Sequence, residues 1–368
     1  MLQYDVEFFD RDLKYVYSCV IDGVPIEDDY ISIKVTKIEV PPTQAILNGH
    51  FIRLQSDRVN FFGVVTDVSP GEYNTKIAFK PFISVFDEDF LFDTSTQGTA
   101  DTNHPTLEAT ILQYIGDLYV NPVDSCQQLP ISIEIDGTIV QTEKWSLNIT
   151  PETEGTHYRI MNLYSSLIAR ALKEYGVVID VIPNFRTKNI RLVITKRLVP
   201  FKIDADLSDI TVKTIKYNDR QTGINKLDVY NTEDYSQYIT FYVHSDRSWD
   251  SDDTDRITPV ARAVRSVAPS NSGEGSAEDA FVEAAVDIAY SVLSGLTWDN
   301  LIELDVYYTD PNVDPLSIGI GQVAIIYYQD GRYTSILTGR TFSDESVTLL
   351  FGSERIEYTK RRKLIGGN

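Results

Sequence analysis

Cysteine and methionine are nearly missing from this chain, at two residues each. Cys19 and Cys126 exclude a disulfide framework by count and stand in no metal or redox spacing, so both are expected to be buried thiols. Histidine is scarce too. His50, His104, His157 and His244 never lie three or four residues apart, so the spacing predicts no metal site. No apolar run approaches the ~18 residues of a membrane-crossing helix. Met1 to Glu7 has neither the basic nor the apolar part of a signal peptide, so synthesis in a cytoplasm is expected. Positive charge is outweighed, with 33 Lys and Arg against 54 Asp and Glu and a net charge of −21. That balance argues against a phosphate-binding surface. It is compatible with DNA passing nearby, because an acidic wall repels DNA and lets it slide.

What is present points to β-structure. Tyr (22) and Phe (16) are abundant, and both favour strands. At 368 residues the chain exceeds a single core, so several domains are expected.

One pattern occurs twice. Gly49 to Leu54, Phe61 to Thr66 (within Val59 to Thr66) and Thr75 to Phe79 reappear 272 residues later as Gly321 to Ile326, Tyr333 to Thr338 and Val347 to Phe351. Gly49/Gly321, Thr66/Thr338 and Phe79/Phe351 are identical. With one residue of slip, Tyr30 to Val35 also aligns with Leu301 to Val306. The spacing predicts one β-meander used twice, with a long insertion between the copies.

Along the chain, strands are expected at Leu13–Ile21, Ile31–Val40, Gly49–Leu54, Val59–Val68 and Thr75–Phe86. The polar stretch Asp93–Thr102 reads as a linker. Helices are expected from Pro105, over Tyr158–Tyr175 and over Ala277–Leu296, the last with Ala280, Ala284, Ile288 and Val292 on its apolar face and Phe281 and Leu293 beside it. A hairpin is expected from Val177–Ile182 and Ile190–Thr195. Further strands are expected at Phe201–Ile203, Ile210–Tyr217, Lys226–Asn231 and Tyr238–His244. Ser270–Ser276 is rich in glycine and serine and is expected to be mobile.

Motifs that would carry chemistry are absent or incomplete. Asp250–Asp255 resembles a hard-cation loop, but the sixth and twelfth positions hold Asp255 and Ala261 in place of Gly and Glu. Asp93-Thr94-Ser95 lacks the glycine of an aspartic-protease triplet. Gly319-Ile320-Gly321 lacks the third glycine of a dinucleotide fingerprint. There is no nucleophile elbow and no phosphate-binding loop. No catalytic, cofactor-binding or metal-ligating residue is therefore assigned, and no cofactor is expected. Lys360–Lys363 forms a short basic tail that could meet an acidic neighbour.

The order and length of these pieces resemble the baseplate hub proteins of tailed bacteriophages, the family that includes the N-terminal region of siphophage tail-associated lysins. Val347–Gly352 followed by Lys360–Lys363 also looks like the end of such a hub region. The resemblance spans nearly the whole chain and rests on order more than on fixed residues. It implies a β-dominated α+β protein with two related barrel-like β-domains, the second discontinuous. The first would be residues 1–95. The second would combine 200–235 with 297–356. The inserted α+β part would be 96–199 with 236–296, and 357–368 the basic tail. It further implies a homotrimer whose six β-domains form a pseudo-sixfold ring on the hexameric distal tail protein. The ring would surround the tape-measure protein and later passing DNA, with baseplate receptor-binding proteins as further neighbours, in the tail tip of a virion. The chain stops where longer relatives continue into a lytic domain, so no lytic activity is expected. Two other readings stay open. One is a host-envelope glycan-binding protein using Trp145, Trp249 and Trp298. The other is a cell-wall hydrolase with a carboxylate pair that no spacing reveals.

Overall fold

The computed structural model describes residues 3–93, 106–143, 145, 158–207, 209–216, 224–244, 249–254, 256, 262–268, 277–293, 298 and 300–353. The expected linker after Asp93, the Ser270–Ser276 stretch, His104, His157, Asp255 and the basic tail lie outside them.

The protein is β-dominated. Its first strands are β1 (Gln3–Phe9), β2 (Tyr15–Asp22), β3 (Ile26–Asp29), β4 (Thr36–Val40), β5 (Phe51–Gln55), β6 (Asn60–Pro70) and β7 (Thr75–Pro81). Six of them form an antiparallel sheet in the order β2-β1-β5-β6-β7-β4, and β3 leaves it. Alternation fixes the inner face: Tyr4, Val6 and Phe8 of β1 are buried while Gln3 and Asp5 are exposed. The strand expected over Ile31–Val40 is realised only in its second half, as β4; a turn over Tyr30–Val35 separates it from β3, which lies before the expected strand. Asp29 makes that break, because its carboxylate accepts from the N–H groups of Ile31 (3.0 Å) and Ser32 (3.1 Å). The strand expected over Thr75–Phe86 ends at Pro81, where Phe82–Phe86 turn as a 3₁₀ helix that buries Phe82, Ile83 and Phe86. The next strand is β8 (Asp89–Asp93).

The inserted region begins with α1 (Leu107–Ile115), capped by the hydroxyl of Thr106, which accepts from Ala109 N–H at 3.2 Å. There follow β9 (Ile131–Ile135), β10 (Tyr158–Asn162), α2 (Ala169–Tyr175), β11 (Val177–Asn184) and β12 (Asn189–Asp204). The helix expected from Tyr158 starts only after Asn162. Before it, β10 pairs with β8, and Ile160, expected in the apolar stripe of that helix, is 62% exposed opposite Leu91. Asn162 switches the chain to helix by accepting from Ser165 N–H at 2.8 Å. A π-helical turn over Leu163–Ile168 then leads into α2. The expected hairpin is β11 with β12, and Phe201–Ile203 belongs to the far end of the long β12. Glu108 of α1 is fully buried. It is held by Lys196 Nζ (2.8 Å), Thr142 N–H (2.8 Å) and the Thr142 hydroxyl (2.9 Å).

Next come β13 (Ile210–Lys216), β14 (Lys226–Asn231), β15 (Tyr238–Val243), β16 (Trp249–Asp250), β17 (Arg262–Val267) and α3 (Ala277–Leu293). Strand β14, read from sequence with the second β-domain, sits in a separate sheet of order β16-β15-β14-β17. Its inner face packs on α3 as a cluster of its own, with Leu227, Val229, Phe241 and Phe281 at the centre. The buried face of α3 carries Phe281, Ala285, Ala289 and Leu293. Phe281 and Leu293, expected beside the apolar stripe, are at its centre, and Ile288 and Val292 of the stripe pack half-buried against the cluster.

The last strands are β18 (Leu301–Tyr307), β19 (Gln322–Tyr328), β20 (Gly331–Phe342) and β21 (Ser346–Phe351). With β11, β12 and β13 they form a sheet of order β11-β12-β19-β20-β21-β18-β13, onto which β9 adds beside β12 and β3 beside β20. One apolar cluster runs through both large sheets, from Val6, Ile52 and Phe79 to Leu304, Ile326 and Phe351. A second unites α1, α2, β11 and β12 with Phe51 of the first sheet and Phe82 of the 3₁₀ turn that follows it.

Candidate assembly site

The repeated pattern has one geometry in both places. Strands β5-β6-β7-β4 and β19-β20-β21-β18 have the same order and are antiparallel throughout. Phe51 faces Val64 and Leu54 faces Phe61. At the same offset, Val323 faces Ile336 and Ile326 faces Tyr333. The bulge recurs as well: β6 slips between Val65 and Asp67 against β7, and β20 slips between Leu337 and Gly339 against β21.

Each of the three identities has a job in that geometry. Gly49 (φ 83°) and Gly321 (φ 81°) turn the chain into β5 and β19, and their N–H groups donate to Val65 O (2.8 Å) and Leu337 O (2.7 Å). Thr66 and Thr338 occupy the bulges, and their hydroxyls donate to Ala78 O (3.2 Å) and Leu350 O (3.1 Å). Phe79 and Phe351 are fully buried opposite Val65 and Leu337. The aligned first strand needs correction. The counterpart of Ile302–Val306 is Thr36–Val40, since Thr36 faces Phe79 as Ile302 faces Phe351; Tyr30–Val35 forms no strand.

Tyr30 instead ties three parts of the molecule together. Its N–H donates to Thr338 O of β20 (2.9 Å), its hydroxyl accepts from Ile179 N–H of β11 (3.1 Å), and its carbonyl accepts from the Tyr164 hydroxyl. Arg340 of β20 pairs with Asp28 of β3 at 2.8 Å. A cleft of about 360 Å³ opens beside these groups, with Arg197 and Asp180 paired on its far wall. Arg58, in the turn between β5 and β6, donates to Asp344 O (3.0 Å) and lies over the Tyr308 ring (4.5 Å). Phe185, in the β11–β12 turn, stacks on Phe9 at 4.3 Å beneath Arg53. Burial pushes the Tyr4 hydroxyl up to about 12, with Tyr308 and Asp344 adding to the effect.

The residues singled out for chemistry are not gathered into a site. Trp145 (2% exposed) and Trp298 (4%) are core residues, and Trp249 packs edge-on against Phe241, so buried Trp145 and Trp298 cannot stack on a sugar. His50 accepts from Leu47 N–H (3.2 Å), and burial lowers its pKa. His244 holds the acidic loop, with Nδ1 2.9 Å from Thr254 O and Nε2 3.0 Å from Asp250 Oδ1. Within that loop Asp250 accepts from Asp252 N–H (2.7 Å), and Asp252 from Thr254 N–H (3.0 Å), which holds the Asp252 carboxyl below its usual range. Among the described residues no three His, Cys, Asp or Glu side chains come together to hold a metal ion. The thiols were expected buried, but Cys126 is exposed and Cys19 half-buried on β2. No helix among the described residues is long and apolar enough to cross a membrane.

No protein-family model and no curated protein matches the chain. Solved structures it is similar to include phage baseplate and prophage tail proteins. The prophage tail protein gp18 from Listeria monocytogenes EGD-e is 14% identical, with a TM-score of 0.47 over 99% of this chain and 98% of that one. The prophage MuSo2 43 kDa tail protein from Shewanella oneidensis is 14% identical, with a TM-score of 0.43 over 94% of this chain and 98% of that one. A chain of the phage P2 baseplate in its activated conformation with Ca is 12% identical, with a TM-score of 0.42 over 97% of this chain and 100% of that one.

Proposed function

We propose that the protein is a structural, non-enzymatic component of a phage tail, the hub of a baseplate or tail tip. The observation that carries this reading is the shared register of β5-β6-β7-β4 and β19-β20-β21-β18, with the same glycine and the same bulge. A chain that presents one module twice offers six similar surfaces when three copies assemble. That matches a threefold object to a sixfold ring. In this reading the two β-units of a homotrimer dock on the hexameric distal tail protein. The inserted helices and their sheets form the tip. The enclosed tube holds the tape-measure protein and then passes DNA, and receptor-binding proteins attach outside. The virion is the site of action, after synthesis in the host cytoplasm. Light scattering on the purified chain should give a mass near three chains, and averaged electron images should show six lobes around a threefold axis. A persistent monomer, at high concentration and with the ring protein added, would overturn the reading.

A further inference from the structure

One stretch of the repeated meander differs in what covers it. Strand β5 pairs with β6 only over Asn60–Val64, as β19 pairs with β20 only over Gly331–Ile336. Beyond that point the edge of β20 is filled. Strand β3 runs antiparallel along Gly339–Phe342, Thr338 O accepts from Tyr30 N–H, and Arg340 pairs with Asp28 directly across. At the 272-residue offset the same edge of β6 is Thr66–Pro70. Thr66, Asp67, Ser69 and Pro70 are exposed and Val68 is half-buried, whereas Thr338, Gly339 and Phe342 are buried. By the shared register, Thr66 C=O and the backbone of Val68 face outward, as Thr338 C=O and Arg340 do toward β3.

We propose that the Thr66–Pro70 edge of β6 is a strand-acceptor site for an extended segment of another polypeptide, with a lysine or arginine beside Asp67. An open edge offers unpaired N–H and C=O groups to an incoming strand. Strand addition of this kind joins backbone bonds for affinity to side chains for choice. The filled edge on β20 supplies the direction and the length. The guest runs antiparallel, and Pro70, without an N–H, limits it to a short strand like β3. Charge supplies the sign. On β20 the host cation Arg340 meets a guest acid. On β6 Val68 takes the place of Arg340, and the exposed charged side chain is its neighbour Asp67, which has no cationic partner among the described residues and accepts only from the Ser69 hydroxyl at 3.3 Å. An acidic host edge selects a basic guest. The site rests on the register of the two meanders and not on the ring.

The test uses the purified full chain. The probe is a labelled peptide of residues 24–31 carrying Glu27→Lys, Asp28→Lys and Asp29→Lys. The unsubstituted acidic peptide and a scrambled lysine peptide are controls. Expected are saturable binding of the lysine peptide alone and slowed amide exchange at residues 66–70. Asp67→Lys should weaken binding about five-fold. Val68→Pro should abolish it while Val68→Ala keeps it, with thermal melts showing that each variant folds. Equal binding of the scrambled peptide, no saturable binding, protection elsewhere on the chain, or full binding by Asp67→Lys would each overturn the site. None of these outcomes depends on whether the chain is a trimer.

Discussion

Gly49 and Gly321 share a backbone angle but not a neighbourhood. A Cβ on Gly49 would meet nothing within 4 Å, while one on Gly321 would come within 2.6 Å of Val178 Cγ1. Gly49→Ala should therefore cost only the left-handed strain, about 1–2 kcal/mol. Gly321→Ala should cost that and the crowding of β11, about 1–3 kcal/mol more. Denaturant midpoints of the two variants decide it, and equal losses would contradict the packing. The sequence showed that the two glycines correspond. It could not show that only one is crowded, because Val178 arrives from an insertion with no counterpart in the first copy. Thr66 and Thr338 teach the same lesson. Identity predicted one bonding role, which both keep, while burial differs because β3 covers only the second.

At the scale of elements, local chemistry read most strands and erred where partners decide. Tyr158–Asn162 has the spacing of a helix face, yet β8 needs a partner and Asn162 starts the helix late. Such pairing is invisible in a window of sequence. On α3 the sequence placed Phe281 and Leu293 beside the apolar stripe, and in the fold these two large side chains centre the buried face, with Ile288 and Val292 at its margin. Because α3 and its sheet form a separate cluster, damage there should stay there. Ala289→Asp puts a charge at a fully buried position of α3. Amide exchange should then lose protection in 226–231, 238–243, 262–267 and 277–293 and keep it in 51–81 and 322–351. Global loss of protection would show that the inserted sheet is not independent.

At the scale of the whole molecule, tyrosine governs the response to alkali. Burial raises the pKa of Tyr4, Tyr30, Tyr119 and Tyr164, and raises Cys19 to about 11. Each neutral group is favoured by the fold, so its contribution is intact below the unfolded value of 9.0 for Cys19 and 10.0 for tyrosine. As pH rises above those values the unfolded chain releases protons first and stability falls. Melting temperature should be level from neutrality to about pH 9 and drop steeply above pH 10. A profile flat to pH 12 would contradict the buried tyrosines. The abundance of tyrosine was plain in the sequence; which rings are buried was not, because the packing around Tyr30 and Tyr164 joins segments far apart in the chain.

Strand β3 has one more consequence, for the order in which the molecule is made. It is synthesised long before its pairing partner, Gly339–Phe342: Asp28 and Arg340, which meet across the pair, are 312 residues apart. All the chain between them must leave the ribosome before β3 finds its place. The first sheet can form early, but its link to the second is a late closure of very long range, and such closures are slow. Until then β3 and the edge of β20 are both bare. A truncated product ending before β20 would keep β3 as a loose strand beside a finished sheet, a species prone to pair with the wrong partner.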